Sequence, residues 1–323
     1  MYAVWICLAF AVAACWGLTV VINKRTLSLV DPIALNVILR APTLAIMLIV
    51  VVPLTALHGW DLGFAMTWEA AGYIALSATV TWLVAFNTYY LALRLGSVGV
   101  VTPIMATDPV FTALFAVLIL GAALTNMVLA GLVVATAGVA LLSRQSEEEP
   151  VVGPDAQVVT ADAAGGQHGA HDALRERLMV VALAVVTAAG WGLGPVLIER
   201  AQRALGGNSA SMMLMSQAIG LVLVLPIVLA RRRVLLRPLR EGERRLLISL
   251  VLASAALEAV FAIAYYFLID NIGAVLTVLI IATSPVFSIL GGVLLLKEQY
   301  GRGLAVGASL TLAGVAMAIL GAR

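Results

Sequence analysis

The sequence predicts an all-α membrane protein of ten transmembrane helices, arranged as two inverted five-helix repeats. Three observations carry that reading. The 323 residues are 63% hydrophobic and 11% charged, against about 25% charged residues in average soluble domains. Apolar stretches long enough to cross a bilayer recur along the chain. The string TDPVF at 107–111 returns as TSPVF at 283–287, each time inside an apolar run. Such a composition excludes a soluble globular fold.

Spans are expected near 2–22, 33–57, 69–93, 98–120, 124–142, 178–198, 210–230, 246–269, 274–296 and 303–321. The first, MYAVWICLAFAVAACWGLTVVI, lacks a basic start and exceeds the apolar core of a signal peptide, so it reads as a retained span. Cys7 and Cys15 lie within it as small apolar residues, with no disulfide framework implied. The run from Val98 to Leu142 has Asp108 as its one formal charge but is too long for one span, and GAALTN (121–126) is where it turns back. Residues 144–177 are small, acidic and Gly- and Pro-containing, the composition of a flexible linker. His168 and His171 belong to that linker, with no rigid element to present them to a metal. The domains are therefore 1–143, a linker over 144–177, and 178–323.

The two halves match in order. A shift of 176 superposes TDPVF on TSPVF, Tyr89-Tyr90 on Tyr265-Tyr266, Gly131 on Gly307, and AGVA (137–140) on AGVA (313–316). A shift of 175 superposes Trp16-Gly17 on Trp191-Gly192. Ordered matches at one offset mark a duplicated unit. An odd helix count turns the second copy upside down, and substrate then binds at the repeat interface near the midplane.

Residues seven apart on a helix return to nearly one face. Trp82 and Tyr89 share such a stripe on helix 3, and Glu258 and Tyr265 on helix 8. Trp16 and Asn23 do the same on helix 1, and Trp191 lies on helix 6. These residues, with Thr102, Asp108 and Ser284, form the candidate cavity lining. Glu258 lies mid-span with no basic neighbour in sequence. A lone carboxylate in hydrocarbon is costly, which makes Glu258 the proton-coupling candidate; a pair with Arg40 is the structural alternative. Arg40 is otherwise free to snorkel. Pro109 and Pro285 predict a matched pair of bent helices, 4 and 9, each with a polar residue before the Pro. Gly131, Gly138, Gly307 and Gly314 form small-residue stripes that allow helices 5 and 10 to pack closely.

Taken together, Trp16-Gly17 with Trp191-Gly192, Arg40, the two Tyr dyads, Pro109 with Pro285, and GLVVATAGVALL (131–142) with GASLTLAGVAMAIL (307–320) resemble the ten-helix EamA branch of the drug/metabolite transporter superfamily. That resemblance covers everything but the linker. It implies a metabolite carrier, often an exporter of amino acids or related molecules, with a cavity among helices 1, 3, 4, 6, 8 and 9. It also implies a scaffold of helices 5 and 10. The family's Glu at the turn between helices 4 and 5 is matched by Glu298 in the second repeat but by Ala122 in the first. Helix 1 holds no acid, so the proton mechanism of the small multidrug transporters does not carry over.

Fifteen of the nineteen Lys and Arg fall in the loops after helices 1, 3, 5, 7 and 9. The positive-inside rule then makes the linker side cytoplasmic and puts both termini outside, whereas the resemblance implies termini inside. The expected function is secondary transport of small metabolites by alternating access in the cytoplasmic membrane, with multidrug or cation efflux and a non-transport scaffold as alternatives. An intramembrane hydrolase would need an HExxH or a similar constellation, and an ATP-driven pump a GxxxxGK[ST]; the sequence has neither. The expected partners are a small-molecule substrate and the lipid bilayer. No cofactor, metal or nucleic acid is expected. One chain supplies both repeats, and a homodimer is an open arrangement.

Overall fold

The structure is a computed structural model that describes residues 2–27, 29–30, 32–58, 66–95, 101, 104–145, 167–205, 209–236, 244–291 and 303–322. It is helical throughout, with no strand among the described residues. Helix α1 is Tyr2–Leu27 and α2 is Pro32–His58. Helix α3 runs from Trp68–Ala78 through a π-helical segment, Thr79–Ala85, into Phe86–Leu95. Next come α4 (Asp108–Leu120), α5 (Asn126–Gln145), α6 (Gln167–Leu205) and α7 (Ser209–Leu236). The helical stretch Arg244–Ile281 is interrupted at Gly273 (φ 79°, ψ 161°), a backbone conformation open to glycine. It is therefore two spans, α8 (244–272) and the first half of α9 (274–291). Helix α10 is Gly303–Gly321.

Six helices are long and apolar enough to cross a membrane, with Arg244–Ile281 counted once, and three shorter apolar helices are Asp108–Leu120, Asn126–Leu142 and Val306–Gly321. Splitting the 38-residue stretch at Gly273 gives the ten expected spans. One boundary moves: α6 starts at Gln167, three turns ahead of the expected 178. The stretch AHDALRER is rich in good helix formers, so the helix continues into residues whose polarity reads as linker. Residues 146–166 of the linker lie outside the described residues.

Packing crosses between the repeats. Helix α1 lies on α8 and α9, and its counterpart α6 lies on α3 and α4. Helix α2 packs on α7 and α8, and α5 on α10. The main apolar core accordingly mixes both halves, with Met47, Ile74 and Ala116 against Val196, Met212, Met213 and Ala259. Large apolar side chains such as Ile49, Leu118, Val133 and Val222 point outward, as a lipid-facing surface requires.

Helices α5 and α10 meet backbone to backbone. A Cβ on Gly131 would stand 2.5 Å from the Gly314 carbonyl oxygen, and one on Gly138 would stand 2.8 Å from that of Gly307. The offset of 176 exchanges these two contacts, so the seam is self-complementary. Close approach maximises dispersion contact, which holds helices together where lipid removes the hydrophobic drive. Gly131→Ala should therefore cost about 1–3 kcal/mol by overpacking against backbone. Gly72→Ala, where a Cβ meets nothing within 4 Å, should be neutral or slightly stabilising. Thermal unfolding of the two purified variants in detergent checks the contrast.

Candidate functional site

The repeated strings resolve into two matched helix breaks. Residues 106–107 and 282–283 are turns, and TDPVF and TSPVF start the segments that follow. Thr107 N–H donates to the Ile104 carbonyl at 3.1 Å and its Oγ1 donates to the same oxygen at 2.6 Å. Thr283 repeats this on Ile280 at 3.0 and 2.7 Å. Pro109 and Pro285 each sit second in a new helix, where a missing N–H leaves nothing unpaired. The expectation of Pro-bent continuous helices is corrected here. The helices are interrupted two to three residues earlier, and threonine hydroxyls cover the exposed carbonyls. Unwound backbone at this depth is tolerated where protein surrounds it or where it lines a cavity.

Two aromatic groups flank the breaks, each built across the repeats. Trp16 of α1 packs on Phe261 of α8 (ring centroids 4.8 Å), which stacks on Tyr265 at 5.2 Å. Trp191 of α6 packs on Phe86 and Tyr89 of α3, at 5.5 and 5.3 Å. In each, the first helix of one repeat lays its Trp on the third helix of the other. Trp16, Trp191, Tyr89 and Tyr265 are all half-buried rather than closed off, although the two tyrosines are surrounded by protein.

Asp108 stands between the groups. Its backbone carbonyl would lie 2.9 Å from a Cβ on Gly192, next to Trp191, and Tyr265 lies close enough to feel its charge. The carboxylate is half-buried at the first turn of α4. Ser284, its repeat mate, is buried. Asn23 lies lower on α1, where its Oδ1 accepts from Ser254 Oγ at 2.7 Å. Thr102 lies outside the described residues.

Glu258 is not alone. Arg40 Nη2 donates to Glu258 Oε2 at 2.8 Å, and Thr43 Oγ1 donates to the same oxygen at 3.4 Å. The Arg40 guanidinium carbon lies 4.0 Å from the centroid of the Trp82 ring. That ring also abuts Gly220 of α7, where a Cβ would come within 2.6 Å of it. Trp82 thus forms a floor under a buried, cross-repeat ion pair. The helix is π-helical over Thr79–Ala85, so the spacing from Trp82 to Tyr89 is not that of a regular α-helix. Phe86, which stacks on Trp82 at 5.1 Å, joins this pair to the Trp191 group. Phe86 and Phe261 escape sequence reading because nothing marks one Phe among many apolar neighbours as facing inward.

A third arrangement ties the end of the bundle that carries the termini. Glu199, near the end of α6, accepts from the backbone N–H of Ala274 at 2.6 Å, just past the Gly273 break. Arg203 donates to Glu199 at 2.6 Å and to the carbonyl of Leu120, the last residue of α4, at 3.4 Å. Arg200 reaches Glu69 of α3 at 3.6 Å. One turn of α6 therefore holds α3, α4 and α9 together at this face. Sequence reading places Glu199 on helix 6 without this role, because its partner is a backbone amide 75 residues away. The His/Cys/Asp/Glu side chains among the described residues form no cluster able to hold a metal.

The buried pair makes a sharp prediction. Arg40→Met leaves Glu258 unpaired in a buried site and should destabilise by about 3–5 kcal/mol. Adding Glu258→Gln should recover most of that loss, since neither charge is then uncompensated. A thermal-unfolding double-mutant cycle reads the difference, and additive losses would mean that the two groups do not interact.

A family model described as the EamA-like transporter family matches residues 3–144 and 178–320, leaving 145–177 unmatched. Among solved structures, one titled "Crystal structure of protein" shares 16% identity, with a TM-score of 0.68 over 98% of this chain and 97% of its own. At that identity the likeness speaks for the fold alone. No curated protein matches.

Proposed function

The chain belongs to the EamA-like transporter family, within the drug/metabolite transporter superfamily, and from that membership we propose that it carries small metabolites across the cytoplasmic membrane by alternating access, in the direction of export. The observation that supports this reading best is the pair of midspan helix breaks, each beside a cross-repeat Trp–Tyr group. Discontinuous helices at a repeat interface are where inverted-repeat carriers bind substrate. The cavity runs between Trp16, Phe261 and Tyr265 on one side and Trp191, Phe86 and Tyr89 on the other. Inversion of the two repeats gives each conformation of this cavity an upside-down counterpart, which is the geometric basis of exposure to alternate sides.

Glu258 is the proton-coupling candidate. Coupling here requires the Arg40 pair to open during the cycle, so that proton binding to Glu258 exchanges with the guanidinium. The Glu199 clasp is the gate at the face that carries the termini. It joins α6 to the start of α9, and opening there must release the Ala274 amide.

Transport is tested with purified protein in liposomes adsorbed on a solid-supported membrane. Substrate-specific transient currents, or radiolabel uptake where exchange is electroneutral, are expected for members of an amino acid, amine and nucleoside panel. Trp16→Ala and Trp191→Ala should each reduce them. Glu258→Gln should remove acceleration by a pH gradient while leaving some downhill exchange. Persistence of the gradient effect in that variant would exclude Glu258 as the coupling group.

The clasp has its own readout. Glu199→Gln keeps an acceptor for Ala274 but loses the charge that holds Arg203, and Glu199→Ala loses both. Labelling of a cysteine placed at Phe261, in a background without Cys7 and Cys15, by an impermeant maleimide from the termini side should rise in the order wild type, Gln, Ala. Equal labelling of all three would mean that the clasp does not gate this face.

A further inference from the structure

Asp108 places a carboxyl group deep in the bundle, about 18 Å along α4 from Leu120 at ~1.5 Å per residue. Its position in the first turn of a helix has an ordinary explanation, since a carboxylate is favourable near the positive end of the helix dipole. The molecule contains its own control for that explanation. The break at Thr283–Ser284 has the same threonine hydroxyl bond, the same backbone bond and the same Pro, and is built with a neutral serine. The turn does not require a charge.

Neither is the charge neutralised by the fold. Arg40, the described cation within the body of a span, is 2% exposed and bonded to Glu258. Arg203 is bonded to Glu199, and Arg200 to Glu69, both at the bundle end. Among the described residues no cation pairs with Asp108. A half-buried carboxylate in a membrane interior calls for a partner, and residues so placed mark substrate or ion paths.

The surroundings specify the partner's sign and shape. Tyr265 lies beside the carboxylate and leads through Phe261 to Trp16. On the other side Gly192 carries the backbone against Asp108, next to Trp191 and its contacts Tyr89 and Phe86. Ring faces attract cations, and carboxylates attract them more strongly. A zwitterion would also need a cation for its own carboxylate, and the described cation at this depth is buried under Trp82 and bonded elsewhere.

We propose that Asp108 is the counter-charge for an organic ammonium group, so that the carried molecule is an amine with an aromatic or apolar body rather than a zwitterionic amino acid. This deepens the transporter reading and rests on it for the word "carried".

Four probes share a phenyl ring and differ in charge: phenethylamine, phenylalanine, hydrocinnamate and phenethyl alcohol. Their affinities for the purified full chain are measured by isothermal titration, with tetraethylammonium as an aliphatic cation. Phenethylamine is expected to bind at least about tenfold tighter than phenylalanine or hydrocinnamate. Asp108→Asn should lower its affinity by about tenfold or more while leaving phenethyl alcohol unchanged. Asp108→Glu should restore most of it. Asp108→Ser, which copies the second break, serves as a neutral variant built to fold. The proposal is overturned if Asp108→Ser and Asp108→Asn bind phenethylamine as the wild type does. It is equally overturned if phenylalanine binds as tightly, or if neither phenethylamine nor tetraethylammonium binds saturably. Vesicle flux separates the two readings. Asp108-dependent amine binding without flux sinks the transporter reading and leaves this one standing. Flux of anions or neutral compounds that ignores Asp108 does the reverse.

Discussion

Neither half of this chain can bury its helices by itself. Helix α1 finds its partners in α8 and α9, α6 finds its own in α3 and α4, and α5 closes on α10 through glycines. In lipid there is no hydrophobic drive to assemble helices, so close packing and interhelical polar contacts must do it. Both kinds of contact run between the repeats: the glycine seam, the Arg40–Glu258 pair, the Asn23–Ser254 bond and the two Trp–Tyr groups. The interface between repeats is therefore the core of the molecule, and any space along it is enclosed by both halves.

Symmetry supplies the scaffold and departures from it supply the chemistry. The threonine-capped breaks and the glycine contacts come in pairs exchanged by the 176-residue offset, and the tryptophans of the two aromatic groups by an offset of 175. Three positions break the pairing. Asp108 stands where Ser284 is its mate, Glu258 takes the place of Trp82, and Arg40 that of Ser216. The last two departures complete each other, because Arg40 of one repeat stacks on Trp82 and bonds to Glu258 of the other. The structure thus binds two of its three odd charges to each other in a buried site. A buried pair of this kind adds little net stability against apolar residues of the same volume. Its consequence is a fixed registry between α2 and α8.

Much of this was legible in the sequence because its signals are periodic or repeated. Ten apolar spans, the five-plus-five division, the matched Pro strings and the small-residue stripes each depend on composition or spacing, which a chain displays directly. Contacts that depend on three-dimensional closure were not legible. Glu258 has no basic neighbour along its own helix, so its pair with Arg40, 218 positions away, could be read only as an alternative to a lone carboxylate. The π-helical segment Thr79–Ala85 has no signature in the residue pattern. Glu199 bonds to a main-chain amide, which carries no side-chain signature. The prolines were read as kinks because the sequence shows that a Pro interrupts an apolar run, but not where the helix on either side ends.

The two breaks and the Gly273 turn follow one rule with different solutions. Each interruption exposes backbone groups that the membrane interior cannot satisfy. At Ile104 and Ile280 the exposed carbonyls are covered locally, by the hydroxyl three residues on. Such a cap travels with its own segment and ties it to nothing else. At Ala274 the exposed amide is covered by Glu199 of another helix, itself held by Arg203. That cap does tie segments together, and it lies at the membrane face. Helix α9 is consequently attached to α6 at its outer end and capped by its own segment at its midpoint. A half-helix with a local cap at one end and a tether to another helix at the other is the construction on which the proposed gate rests, and Asp108 opens the segment after the repeat-related break.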